Sequence, residues 1–415
     1  VSVNVSGSTG RLFFNGSTFN GTVNVTKTDN NGDFSSGNNV FNGTTTLTNT
    51  GDGYILMGNT NRDQFNGVTT FNNNGGYRIY LAYNHGGQTT TFANDVFLNT
   101  NKSGRTDAWS YLICEGTNTA VSFGGNVTIN CGGTLQSNHR ILQGTGTQAT
   151  YAGTVTVNAT NTHTSTSINM GANGTSVFNG NIVLNNPGGI NGIYFNNGAS
   201  AASTLAATRT ITIGGSGFVA GTLSLPRFTQ LGSTLQTLTA LSGTAILTVG
   251  PSSNFAGDVN FAAPRLFLNG AVYGGTASFE KTGASGDFST GGNTFNGSTT
   301  ITNSGSDEFV LGNGNADIFN NTVTFNNTGS YRIRAAYNHS GQTTTFNGNV
   351  TLNSNKSGGT DSWSFLFGEV NDSNLLFNGL LTINCGGTLR SDHRFLNGTG
   401  SAGSLKGPIT INIAN

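Results

Sequence analysis

Asp317 stands in GNGNADIF, a run of glycine, asparagine and aspartate that suits a hard cation such as calcium. A calcium roll repeats that signal in tandem turns, but the stretch 254 residues earlier reads GNTNRDQF, keeping Asp63 and losing the glycine that permits the sharp bend. Calcium near Asp317 is therefore an isolated signal. Cys131 and Cys385 occupy matching places 254 residues apart, while Cys114 faces Gly368, so an even disulfide framework is excluded and small buried thiols are expected. His85 and His339 lie in YNHxG and His139 and His393 in HR pairs, with His163 alone; solvent-facing or turn-bonding roles are expected, since no HExxH or Cys/His spacing supports zinc. Carboxylates such as Asp107, Glu115, Glu308 and Glu369 are scattered singly, whereas polysaccharide lyases and hydrolases need a cluster on one face. The reading assigns no catalytic, cofactor-binding or metal residue and expects no enzyme. Tyr77, Tyr80, Tyr83 and Trp109 could stack on glycans if they face outward, though core packing is preferred; Trp109, Trp363, Tyr83 and Tyr337 are retained as candidate surface contacts.

The elements that would position these groups follow from composition. Only 8% of residues are charged, about a third of the usual share, and the net charge is zero, which argues against nucleic acid and membrane-surface partners. No apolar run is long enough to span a bilayer. Asn, Thr, Ser and 63 Gly favour strands and turns over helix interiors. The polar bias alone would suggest disorder, but 28 Phe and 10 Tyr recurring in fixed company oppose it.

The chain repeats itself at long range. GYRIYLAYNHGGQTTTF from 76 returns as SYRIRAAYNHSGQTTTF from 330, and INCGGTLQSNHR from 129 as INCGGTLRSDHR from 383, all at an offset of 254. Residues 1–9 read as the end of a preceding repeat, 10–263 as one full repeat and 264–415 as part of another. Inside each runs a shorter motif, FNGxVTΦN with Φ apolar, starting at Phe41, Phe65, Phe92, Phe123 and Phe178, then at Phe295, Phe319, Phe346 and Phe377. After each turn, apolar residues alternate, as in Val127 and Ile129 or Val350 and Leu352, which is the period of a strand with one buried face. These phenyl and aliphatic residues are expected to form ladders along an axis. A second apolar run such as YRIYLAY and a third such as QTTTF complete each coil.

The expected fold is all-β: a right-handed parallel β-helix of about three strands per coil, the hand following the general chirality of parallel crossovers. Coils of about 18–31 residues are interrupted by two longer irregular ones in a seam about 186–250, read as side loops or as two short coils each. A single coil buries too little to offset the ordering of its own backbone, at about 1 to 2 kcal/mol per residue, so stability must come from stacking. Triplets of the NxS/T type at Asn42, Asn126, Asn173, Asn296 and Asn397 are read as amide ladders at turns in preference to glycosylation sites.

The FNGxVTΦN coils, the Asn/Thr bias and the long tandem repeat resemble giant bacterial surface adhesins: haemagglutinin-like and autotransporter-passenger β-helices, and repetitive type IX-secreted surface proteins of gliding Bacteroidota, including the grappling-hook fibres of filamentous predators. The resemblance covers nearly the whole chain in style and architecture and carries no catalytic residue across. It implies an extracellular, cell-surface location and a structural segment of a very long fibre, a rigid spacer in an adhesive or grappling appendage. Its expected partner is itself, repeat on repeat or as a bundled homo-oligomeric fibre, with glycans or the surfaces of other cells as further partners. A glycan-binding or polysaccharide-active β-helix is the alternative.

Overall fold

Each FNG turn leads into a strand of five residues whose first, third and fifth side chains point inward. The computed structural model describes residues 1–415 apart from 8–9, 103–106, 199–200, 357, 360, 388 and 415. It is an all-β parallel β-solenoid with three parallel sheets per coil and about 27 residues per turn, and the described residues contain no helix. Two compact units are distinguished, Val1–Leu223 and Ser224–Asn415.

In the first unit the post-turn strands form sheet 1, among them Val23–Lys27, Thr45–Asn49, Thr69–Asn73, Val96–Thr100, Val127–Cys131 and Val155–Ala159. Their register is unbroken, so Val25, Leu47, Phe71, Leu98, Ile129 and Val157 lie one above another. Sheet 2 collects strands that end on the motif aromatic, such as Val40–Phe41, Gln64–Phe65, Thr89–Phe92 and Ala120–Phe123. Sheet 3 holds the second apolar run: Asp33–Phe34, Ile55–Leu56, Ile79–Leu81, Trp109–Ile113, Asn138–Ile141, Ser167–Asn169 and Gly192–Tyr194. The second unit repeats the scheme, with Leu238, Phe261, Phe279, Ile301, Phe325, Leu352 and Ile383 in one inward file of its sheet 1.

The packing explains the three letters of the motif. The aromatic ring stacks: Phe41 on Phe65 and Phe65 on Phe92 at 4.7 Å, Phe92 on Phe123 at 5.2 Å, and Tyr151 on Phe178 at 4.7 Å, all nearly parallel. Phe295, Phe319, Phe346 and Phe377 do the same in the second unit, at 4.6 to 5.0 Å. Such pairs add about 0.5 to 1.5 kcal/mol each beyond burial. The asparagine forms an amide ladder, Asn66 donating to Asn42 and Asn42 to Asn20 at 2.8 Å, with Asn378, Asn347, Asn320 and Asn296 doing likewise. The glycine is required by close approach rather than by an unusual φ: a Cβ on Gly67 would lie 2.4 Å from the Gly43 carbonyl, and one on Gly180 2.0 Å from Gly153 O. Asn42 and Asn296 thus sit in ladders, while Asn126 and Asn173 bond backbone on adjacent coils.

Neither reading of the seam holds as made: the two long intervals together contain three coils of ordinary length, because Phe218 lies in a sheet 1 strand and Leu205 and Gln230 take the aromatic position between Phe178 and Phe255. Ala202–Leu205 pairs in register with Thr175–Phe178, Leu205 taking the aromatic position, and Ile211–Phe218 pairs with Ile182–Asn186 across a bulge. In the second unit Phe228–Gln230, Gln236–Leu238 and Ile246–Val249 continue the pattern in the same way. Strand positions persist where the motif letters do not; residues 199–200 of that stretch lie outside the described residues.

Candidate functional site

Two groups of polar side chains need an account: those inside the solenoid and those on the outer face of sheet 3. The interior group carries most of the chemistry flagged by the sequence. Asp317 is fully buried and its Oδ1 accepts the backbone N–H and the side-chain N–H of Asn293, both at 2.9 Å. The Asp317 N–H in turn donates to Thr344 Oγ1, which lies 3.1 Å from His339 Nε2. Asn39, Asp63, Thr90 and His85 reproduce this column in the first unit, with Asp63 Oδ1 accepting Asn39 Nδ2 at 2.8 Å. Burial pushes both carboxyls up to about 6. The column clamps one corner of successive coils, and Asp317 is occupied by amide donors where the calcium reading would need further oxygens. Among the described residues no three His, Cys, Asp or Glu are grouped to hold a metal.

The histidine expectation is corrected in part. His85, His139 and His339 are buried, not solvent-facing. The first and last are turn-bonding, their carbonyls accepting the N–H of Gln88 and Gln342. His139 lies in the core against the Tyr111 ring at 5.2 Å with Nε2 3.2 Å from Thr100 Oγ1, and burial lowers it to about 4. His163 accepts the Ser165 N–H within its turn. Cys114 and Cys131 are buried, which pushes both thiols up to about 12. Cys385 is only half-buried and lies 3.2 Å from His393 Nε2. A nucleophilic pair needs a depressed thiol beside a cationic imidazole. Burial acts the other way on both groups, raising the thiol and lowering the imidazole.

One buried ion cluster was invisible in the sequence. Lys27 Nζ lies 2.6 Å from Asp29 Oδ1 and 3.4 Å from Asp33 Oδ2, all three side chains being buried. At the equivalent place Gly283 replaces Asp29, so Lys281 donates to the carbonyls of Gly283 and Asp307 and Arg265 pairs with Asp287 at 3.1 Å.

The outer face of sheet 3 presents the aromatic groups. Tyr77, Tyr80, Tyr83 and Trp109 are half-exposed, which overturns the preference for core packing; period-two alternation with the inward Ile79 and Leu81 turns Tyr80 and Arg78 outward. Trp363 and Tyr337 are placed likewise. Tyr80 meets Tyr83 edge to face at 5.1 Å and Tyr54 at 5.8 Å. Arginines that the sequence reading passed over complete the face. Arg78 binds both carboxylate oxygens of Asp107, at 2.7 and 2.9 Å, and lies over Tyr77. Arg140 lies over the Trp109 indole at 4.4 Å and binds both oxygens of Glu115, at 3.2 and 2.6 Å. Arg394 lies over Trp363 at 4.6 Å in the same way and donates twice to one oxygen of Glu369, at 2.9 and 2.6 Å. On this face the repeats differ at a coupled pair of positions: Tyr54 and Tyr80 become Glu308 and Arg334, which form an ion pair at 3.0 Å. That paired exchange at the repeat offset is the signal in the sequence that these positions touch.

No protein-family model matches the chain, and neither a curated protein nor a solved structure shows significant similarity to it. What stands is a β-solenoid with repeated coils.

Proposed function

We propose that the chain is a structural segment of a very long extracellular fibre or adhesin on a bacterial surface, a non-enzymatic spacer built from tandem repeats that projects or forms an adhesive or grappling appendage. The observation that carries this reading is the recurrence of whole clusters, not of a single active group. Lys102 donates to the carbonyls of Asp107 and Trp109, as Lys356 does to those of Asp361 and Trp363; Asn73 binds Ser110, as Asn327 binds Ser364. Repetition of interior detail serves a building block, whereas a catalytic centre is needed once. The outward carboxylates favour the same reading, because Asp107, Glu115, Asp361 and Glu369 are each held by an arginine. The adhesin-like style of the coils supports the surface location and a type IX-like export route, and the self-stacking of rungs supports a partner that is the chain itself.

Antibodies raised against this chain, applied to intact and to permeabilised cells of the source organism, test the location and role together. Gold particles along filaments on intact cells are expected. Labelling only after permeabilisation would contradict the proposal.

A further inference from the structure

The Trp109–Arg140 pair borders a groove in the first unit that none of the structural clusters accounts for. It has a volume of 280 Å³ and is lined by Trp109, Arg140, Gln143, Asn169, Asn173 and Asn197. These residues come from four successive coils, because Trp109–Ile113 pairs with Asn138–Ile141, that strand with Ser167–Asn169, and the latter with Gly192–Tyr194 just before Asn197. With strands about 4.8 Å apart, the groove runs about 14 Å along the stack. Its volume falls just below the range of ordinary small-molecule sites, which suits one or two rings and not a folded partner.

The chemistry of the lining selects the occupant. One wall is a rigid plane, since Glu115 grips the edge of the guanidinium through two hydrogen bonds while the indole supports its face at 4.4 Å. The same ion pair neutralises Arg140, so the groove offers no free charge to an acidic ligand. The other wall is made of carboxamides. Asn169 Oδ1 accepts from Asn197 at 3.3 Å and Asn173 Nδ2 donates to the Gln143 carbonyl at 2.9 Å, which fixes two of them. The Gln143 side-chain amide is half-exposed and has no hydrogen-bond partner among the described residues. A planar wall facing neutral donors and acceptors matches the apolar ring face and equatorial hydroxyls of a pyranose.

We infer that this groove is a binding site for a neutral polysaccharide strand, engaged one or two sugar rings at a time. The second unit holds Trp363, Arg394 and Asn397 at the positions equivalent to Trp109, Arg140 and Gln143. The inference goes beyond the spacer reading, and its failure would leave that reading untouched.

The test is affinity electrophoresis of the whole chain through gels containing laminarin, xyloglucan, galactomannan or dextran, with alginate as the acidic control. Retardation by at least one neutral polymer is expected, with affinity reduced tenfold or more in Trp109→Ala or Gln143→Ala protein that keeps the wild-type circular dichroism. The Gln143 side-chain amide is half-exposed and has no hydrogen-bond partner among the described residues, so its variant stays informative if Trp109→Ala misfolds. No retardation by any neutral polymer, retardation by alginate alone, or a smaller change in every folded variant would overturn the assignment.

Discussion

A buried carboxyl is the residue whose environment most changes what its sequence suggested. Asp317 looked like a cation ligand because only its neighbours in the chain were visible; its partner Asn293 lies 24 residues earlier and reaches it through coil register. His139 was legible and missed: counting alternately back from inward Ile141 places His139 inside and Arg140 outside. The acidic column makes a pH prediction with a defined sign. Folded Asp317 keeps its proton up to about 6, whereas the unfolded chain releases it near 3.8, so the folded state binds more protons between those values. Stability therefore falls as pH rises through that window and stays lowered above it. Asp63 and Asp287 act in the same direction, and His139, lowered to about 4, acts in the opposite one. Asp317→Asn removes one of these titrations while keeping the oxygen that accepts from Asn293. Its Tm relative to wild type is expected to be higher at about pH 8 than at about pH 4.5; an equal difference at both would show that the carboxyl is not proton-bound in the fold.

At the scale of the element, the motif was readable as a strand with a turn but not as three separate packing devices. Periodicity identified Val127, Ile129, Val350 and Leu352 as inward, and they are buried. The glycine looked like a turn residue, but its necessity comes from the coil beneath it, which only the stacked arrangement reveals. Gly67 and Gly21 separate the two explanations, since both belong to FNG turns and neither has positive φ. A Cβ on Gly67 would collide with Gly43, while one on Gly21 meets nothing within 4 Å. Gly67→Ala is expected to lower stability by roughly 1 to 3 kcal/mol, the cost of overpacking, with Gly21→Ala close to neutral in the same denaturant titration. Equal losses would place the glycine requirement in the turn itself. The seam was the hardest element to read because Leu205 and Gln230 replace the motif aromatic while the strands keep their places.

For the whole molecule, the 254-residue offset was legible because both copies keep their length, and the structure gives it a mechanical meaning. Among the described residues, ten strands of the sheet 1 type lie between Val23–Lys27 and Val259–Ala263 inclusive before Ala277–Lys281 begins the pattern again. Function was less legible, since a solenoid specifies a scaffold and leaves its use to outward side chains, which can change without disturbing the stack, as Tyr54 and Tyr80 do in becoming Glu308 and Arg334. The central proposal is that each repeat adds its own set of rungs to the fibre. The contour length of purified chains carrying one, two and three full repeats, measured on electron micrographs of single particles, tests it most directly. At about 4.8 Å per rung the account predicts a constant increment of roughly 48 Å per repeat. Particles that grow in width, or whose length does not change with repeat number, would contradict it.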